Sequence, residues 1–162
     1  MLISSETPIA FVVGSPLTAK LFATTLRREG VAPLLVPANT LLQTCSRWKA
    51  PNPQLLIWEW QRDAALRETM TMLKIFHVWM PGTSILLYGW QVGMQGVQQM
   101  FACMVLRLEG LHVHLLSKPF QTQACQDALN TYLPQRSKQD IDHIPSLSCE
   151  GGPYTVFAKE VL

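Results

Sequence analysis

Residues 53–60 read PQLLIWEW, and the reading of that stretch decides the fold. A proline opens it, and an apolar run then climbs to one carboxylate, Glu59, set between Trp58 and Trp60. A short continuous apolar run bounded by turn residues suits a strand buried on both faces, as in a parallel sheet covered by helices. Side chains alternate along a strand, so the two tryptophans share one face and Glu59 takes the other. On this reading Trp58 lies in the core beneath a helix. Trp60, just past the strand end, is expected nearer solvent, where it and Trp90 flank the C-terminal edge of the sheet.

The neighbouring segments extend the pattern in both directions. Towards the N-terminus, PNP at 51–53 breaks the chain, and residues 39–48 suit a short helix with Asn39 as its cap. VAPLLVPA at 31–38 is extended, and Pro33 and Pro37 mark an edge strand, because proline has no N–H to donate to a neighbouring strand. IAFVV at 9–13 is a buried strand that turns at GSP. Ser15 then caps a helix with Pro16 in its first position. Leu17, Leu21 and Leu26 form the expected stripe of that helix, and RREG ends it.

Towards the C-terminus, residues 62–78 read as a helix with Leu66, Met70, Leu73 and Phe76 or His77 on one side. MPGT stops it before the strand SILLYG at 84–89. A helix over 94–108 carries Val97, Phe101, Met104 and Leu108 and ends at Gly110. LHVHLLS at 111–117 is a fifth strand, KPF a turn, and 121–133 a fifth helix closed by Pro134. Strand and helix alternate five times, which specifies an α/β domain: a five-stranded parallel sheet with helices on both faces. That domain spans 1–134. Residues 135–162 form a polar linker followed by YTVFAKEVL, which reads as an extra strand or the start of another segment.

Bulk composition narrows the function classes. A chain of 162 residues with 48% apolar and 15% charged residues suits one folded domain with an ample core. The net charge is +2, and the 13 Lys and Arg are scattered, so no nucleic-acid surface is expected. Apolar runs fall short of a bilayer span, and no basic stretch precedes a hydrophobic one, so neither membrane insertion nor a secretory leader is expected. Cys45, Cys103, Cys125 and Cys149 share no short spacing and read as free thiols of a cytoplasmic protein.

Three stretches resemble the receiver domain, the phosphoacceptor module of bacterial two-component signalling. IAFVVGSPLTAKLFATTLRREG at 9–30 is similar to its first strand and helix, PNPQLLIWEW at 51–60 to its third strand, and GLHVHLLSKPF at 110–120 to its fifth strand with the Lys-Pro-Phe ending. The likeness covers roughly residues 8–133 and implies a flavodoxin-like sheet of order 2-1-3-4-5. In that family an aspartate takes the phosphoryl group, two acids near the first strand hold Mg²⁺, a hydroxyl residue follows the fourth strand, and a lysine touches the phosphate. Carried onto this chain, the nucleophile position falls on Glu59 and the acid pair on Val13 and Gly14, or Gly14 and Ser15. The hydroxyl position falls on Tyr88, the lysine on Lys118, and the aromatic switch position on His114 or Leu115.

Only Lys118 keeps its residue type. Mg²⁺ favours six oxygen ligands and needs carboxylates to offset its dehydration. Without the acid pair, phosphoryl transfer lacks its charge neutralisation. Glutamate is also longer by one methylene, which displaces its oxygen by about an ångström from the aspartate position. Glu59 and Lys118 are therefore expected to pair as an ion pair without metal, and Tyr88 to hydrogen-bond Glu59. No metal or cofactor is expected.

Other chemistry has thin support. His112 and His114 share a strand face but lack further zinc ligands. Ser15, Ser84 and Ser117 lack a nucleophile-elbow motif. GMQG and EGGP lack the lysine and serine of a phosphate loop. Ser15 and Thr18 near a helix start are an anion site at most. The fourth helix is rich in methionine, and Met94, Val97, Phe101 and Met104, with His114, Trp60 and Trp90, are candidate interface residues.

The expected function is thus a non-enzymatic, non-phosphorylated pseudo-receiver that works by contact with a regulatory protein or histidine-kinase domain. The resemblance also implies a homodimer through the fourth helix, fifth strand and fifth helix. A conventional receiver, a small-ligand sensor at the aromatic edge and a flavodoxin-like enzyme are the competing classes.

Overall fold

The structure, a computed structural model, describes residues 7–61, 65–90 and 93–133. The readings made for the chain beyond Leu133, including the linker, the extra strand and Cys149, lie outside the described residues. Five strands form one parallel sheet in the order β2-β1-β3-β4-β5: β1 Ile9–Val13, β2 Ala32–Leu35, β3 Leu55–Glu59, β4 Ser84–Gly89 and β5 Val113–Ser117. The helices are α1 Pro16–Arg28, α2 Leu41–Arg47, α3 Leu66–Trp79, α4 Gly93–Leu108 and α5 Thr122–Tyr132. The sheet order and the edge position of the proline-bearing β2 match the expectation.

Alternation along the strands divides the interior into two cores. Phe11, Leu56, Trp58, Ile85 and Leu87 face the layer of α2, α3 and α4, where Leu73, Phe76 and Leu106 meet them. Val12, Leu55, Ile57, Leu86 and Tyr88 face α1 and α5, against Phe22, Leu26 and Leu129. Continuous apolar strands were legible because every residue of β1 and the first four of β3 are buried, whichever face they take.

Several boundaries differ from the sequence reading. Ser15 does cap α1, its hydroxyl accepting the Thr18 N–H at 3.2 Å with Pro16 following. That cap fixes where the helix starts, and packing of α1 on the sheet turns Thr18, Phe22, Thr25 and Leu26 inward, leaving Leu17 exposed. Of the expected stripe, Leu26 is buried, Leu21 is half-buried and Leu17 is exposed. Asn39 does not cap α2. It lies in a 3-10 turn, Ala38–Thr40, where the Thr40 N–H and hydroxyl both bond the Pro37 carbonyl, and α2 begins at Leu41. Extended backbone at Ala65 delays α3 to Leu66, later than the expected start at residue 62.

Gly30 and Gly110, with φ of 73° and 95°, take the left-handed conformation that closes α1 and α4. Cys45, Cys103 and Cys125 are buried free thiols, and burial pushes Cys45 and Cys125 up to about 11, so both stay protonated. Among the described residues no helix is long and apolar enough to cross a membrane.

Candidate functional site

Parallel strands place their C-terminal ends together, and here the ends of β1, β3, β4 and β5 gather Gly14, Ser15, Glu59, Tyr88 and Lys118. The Glu59 carboxylate is the centre of the cluster. Its Oε1 accepts the Ser15 backbone N–H at 2.9 Å, and its Oε2 accepts from Lys118 Nζ at 3.0 Å. Lys118 and Glu59 side chains are 14% and 11% exposed, so the pair is mostly withdrawn from solvent. Ser15 Oγ and Thr18 Oγ1 lie 3.0 Å apart, and the Thr18 hydroxyl also reaches the carboxylate.

Burial pushes the Glu59 carboxyl pKa up, but the Ser15 N–H, the Thr18 hydroxyl and Lys118 together pull harder, and the net shift is downward. The group is an ionised carboxylate at neutral pH with both oxygens already engaged. Lys118 is enclosed as well. Its N–H bonds the Gly89 carbonyl at 2.8 Å, and its ammonium stands 5.2 Å from the Tyr88 ring centre and 5.6 Å from that of Trp90. Cation–aromatic attraction reinforces its position over those rings.

The β1 end contributes no acid and has no room for one. Val13 is buried in the α2–α4 core, so its side chain faces away from Glu59. A Cβ at Gly14 would stand 2.8 Å from both Cβ and Oε1 of Glu59. The Glu59 side chain, from its Cβ outward, thus occupies the volume into which a side chain at position 14 would extend. Among the described residues no three His, Cys, Asp or Glu side chains group as metal ligands.

Tyr88 departs from expectation. It is paired in register with Glu59, yet its side chain is buried in the α1–α5 core. Its ring stacks edge-on to Phe22 and Phe120, with centroids at 5.1 and 6.4 Å. Burial, then the negative charge of Glu59, raise its pKa. The side chain serves as an apolar floor beneath Lys118.

The aromatic edge is also smaller than expected. Trp60 is only 3% exposed, because strand parity carries it with Trp58 into the α2–α4 core, and its N–H bonds the Tyr88 carbonyl. It is neither an interface residue at the rim nor part of a ligand-binding edge. Trp90 is half-buried. Met94, Val97, Phe101 and Met104 are exposed on α4, as an interface role requires.

His114 is half-buried and stacks on Tyr132, with ring centres 3.4 Å apart, while Leu115 packs against the opposite core. Burial, then the charges of Arg107 and His112, hold the His114 pKa down to about 4. A histidine depressed in the folded state binds its proton more readily when unfolded. The stability it contributes is therefore complete above about 6.5 and falls as pH drops from there toward about 4. An NMR titration is expected to find the His114 imidazole neutral throughout the physiological range, and His114→Phe to flatten that part of the stability profile.

Sequence reasoning missed Thr18 as a partner of Glu59. The signal was present: Ser15 and Thr18 stand three apart across a helix start, so both hydroxyls face the first turn.

The fold that holds this cluster has counterparts among known structures. The chemotaxis response regulator CheY4 of Vibrio cholerae superposes with a TM-score of 0.59 at 14% identity, over 78% of this chain and 99% of that one. The receiver domain of NtrX from Brucella abortus gives 0.57 at 16%, over 76% and 97%. A putative pilus assembly-related protein from Burkholderia pseudomallei gives 0.55 at 18%, over 85% and 99%. The fold is a receiver fold. No family model and no curated protein sequence matches this chain. At such identities the likeness concerns the receiver fold alone, and the Glu59–Lys118 cluster occupies the strand ends of that fold.

Proposed function

We propose that this chain is a pseudo-receiver: a receiver fold that is not phosphorylated and acts by protein–protein contact as a regulatory module in bacterial signal transduction. Its partner is a regulatory protein or a histidine-kinase domain. One observation carries the reading. The carboxylate at the strand ends is already engaged by the Ser15 N–H and Lys118, in a cluster whose β1 end has neither an acid nor space for one. A divalent cation would find one carboxylate there, and that carboxylate is neutralised by an ammonium. Too little negative charge remains to offset the dehydration of Mg²⁺.

The ion pair then holds the strand ends in one arrangement, and regulation moves to the outer surface. Adding Mg²⁺ and beryllofluoride to the purified chain is expected to leave its amide NMR spectrum and its tryptophan fluorescence unchanged. A saturable response that Glu59→Gln abolishes would overturn the reading. Partner binding, by contrast, is expected to survive Glu59→Gln.

A further inference from the structure

The last turn of α4 and the end of α5 meet across β5. Arg107 Nε–H donates to the Val113 carbonyl at 2.6 Å. Tyr132, the last residue of α5, stacks on His114 with ring centres 3.4 Å apart. The chain beyond Leu133 therefore leaves the fold beside the C-terminal end of α4. From that end, Leu108, Met104, Phe101 and Val97 run along the outer side of the helix in steps of four and three residues. All four are exposed, Leu108 most of all at 86%. The inward residues Gly96, Gln99, Cys103 and Leu106 already meet the domain. The outward residues of α5, by contrast, are polar: Gln123, Asp127, Asn130 and Thr131.

Residues 154–162, YTVFAKEVL, have the pattern to match that stripe. At the helical period Tyr154, Phe157, Ala158, Val161 and Leu162 share one side, and Thr155, Lys159 and Glu160 take the other. At the strand period Lys159 falls with Phe157 and Glu160 with Tyr154, which leaves no apolar face. Pro153 precedes the pattern, where a helix start tolerates proline. Neither sheet edge favours an added strand. The Ile85 N–H takes the His112 carbonyl, so the Val113 carbonyl faces outward, and there Arg107 and the Cys103 thiol occupy it. On the β2 edge, Pro33 has no N–H to donate.

We propose that residues 154–162 dock, as a short helix, on the outer stripe of α4 in the same chain. Phe157 and Val161 then lie against Phe101, Met104 and Leu108. The inference rests on the reading of this chain as a contact module and supplies its regulation: the segment covers the stripe, and a partner gains it when the segment leaves. A helix this short is marginal by itself, so the segment folds where α4 receives it.

Tethering is the first argument. Residues 134–153 join the segment to the domain. A flexible tether of about 20 residues spans about 25 Å on average. The 16 residues of α4 measure about 24 Å, so the whole stripe is within reach. Such a tether holds its end at a local concentration on the order of millimolar, which sets the segment ahead of a second copy at micromolar concentration. Charge is the second argument. Residues 93–106 contain no charged side chain, and Lys159 and Glu160 lie off the apolar side of the segment. The contact therefore buries no charge.

Met104 and Ala158 are central to the two stripes, so they meet whichever way the segment runs. In the full chain carrying Cys149→Ser, the pair Met104→Cys and Ala158→Cys is expected to close an intramolecular disulfide on mild oxidation. Closure at about 5 μM protein is expected to be at least tenfold faster than for a control pair, Leu17→Cys and Ala158→Cys. Leu17 is exposed on α1, across the sheet from α4, and the native Cys45, Cys103 and Cys125 are buried. Phe157→Glu in the full chain is expected to shift the amide resonances of residues 97–108 and to leave those of α1 in place. Equal closure rates overturn the proposal, as do α4 resonances that ignore Phe157→Glu. A disulfide that forms only between chains makes a second copy the occupant, and the proposal falls. These outcomes are separable from the beryllofluoride test. A chain that fails them and ignores beryllofluoride loses only the docking, and one that passes them and responds to it loses only the pseudo-receiver reading.

Discussion

Replacing Lys118 with methionine is expected to destabilise the domain by about 1–3 kcal/mol at neutral pH, the range for leaving a buried acceptor without its partner, with more at stake when the acceptor is charged. A fully exposed pair is worth about 0.2–1 kcal/mol, and breaking a fully buried one costs about 3–5 kcal/mol. This pair lies nearer the buried limit, at 14% and 11% exposure, but Glu59 keeps the Ser15 N–H and Thr18 when Lys118 is lost. The pH dependence separates the ion pair from simple packing. In the native chain the Glu59 pKa is below 4.5, so its stabilising contribution is complete above that value and is lost as pH falls through the lower folded value. In Lys118→Met, burial pushes the carboxyl up with one opponent fewer. The gap between native and variant therefore closes on acidification. Urea denaturation at pH 7 and pH 3 measures both. Equal midpoints at pH 7 would mean that the pair does not hold the strand ends together.

Substituting Gly14 with alanine is expected to destabilise by about 1–3 kcal/mol through overpacking. The backbone is not the reason, since Gly14 is absent from the positive-φ glycines Gly30, Gly93 and Gly110. The new methyl would stand 2.8 Å from Glu59 Cβ as well as from Oε1, and rotating the carboxylate relieves only the second contact. In a Glu59→Gly background both obstructing atoms are gone, and Gly14→Ala is expected to be neutral or to stabilise by about 0.4–1 kcal/mol through the unfolded chain. A double-mutant cycle by chemical denaturation yields the coupling directly. A neutral effect in the native background would remove the steric argument. The functional consequence is that Gly14→Asp by itself does not restore a Mg²⁺ site, because the residue at 59 blocks its side chain.

Much of this was legible before any coordinates. The run LLIW before Glu59, the proline-marked β2 and the glycines after α1 and α4 carry local signals of burial, edge position and helix ending. Such signals arise from backbone geometry and short-range sterics, so a single chain displays them. The cap at Ser15 is of the same kind. Failures occurred where a neighbour remote in sequence decided the outcome. Leu17 and Phe22 are both apolar, and only the packing of α1 on the sheet selects Phe22 for the core. Tyr88 has several partners within reach, and Phe22, Phe120 and Lys118 come from three other segments.

Strand and helix order, the placement of Glu59 and Lys118 at strand ends, and the absence of an acid at 13–15 were determined by the sequence alone, since each depends on residue type and local periodicity. Tertiary structure decided which groups meet. It placed Glu59 against Ser15, Thr18 and Lys118, used the lack of a side chain at Gly14 to seat the carboxylate, and turned Trp60 inward while leaving Phe101 outward. The physical reason is range: periodicity records that a side chain is apolar or charged, whereas its partner is set by contacts between segments 44 and 59 residues apart in the chain.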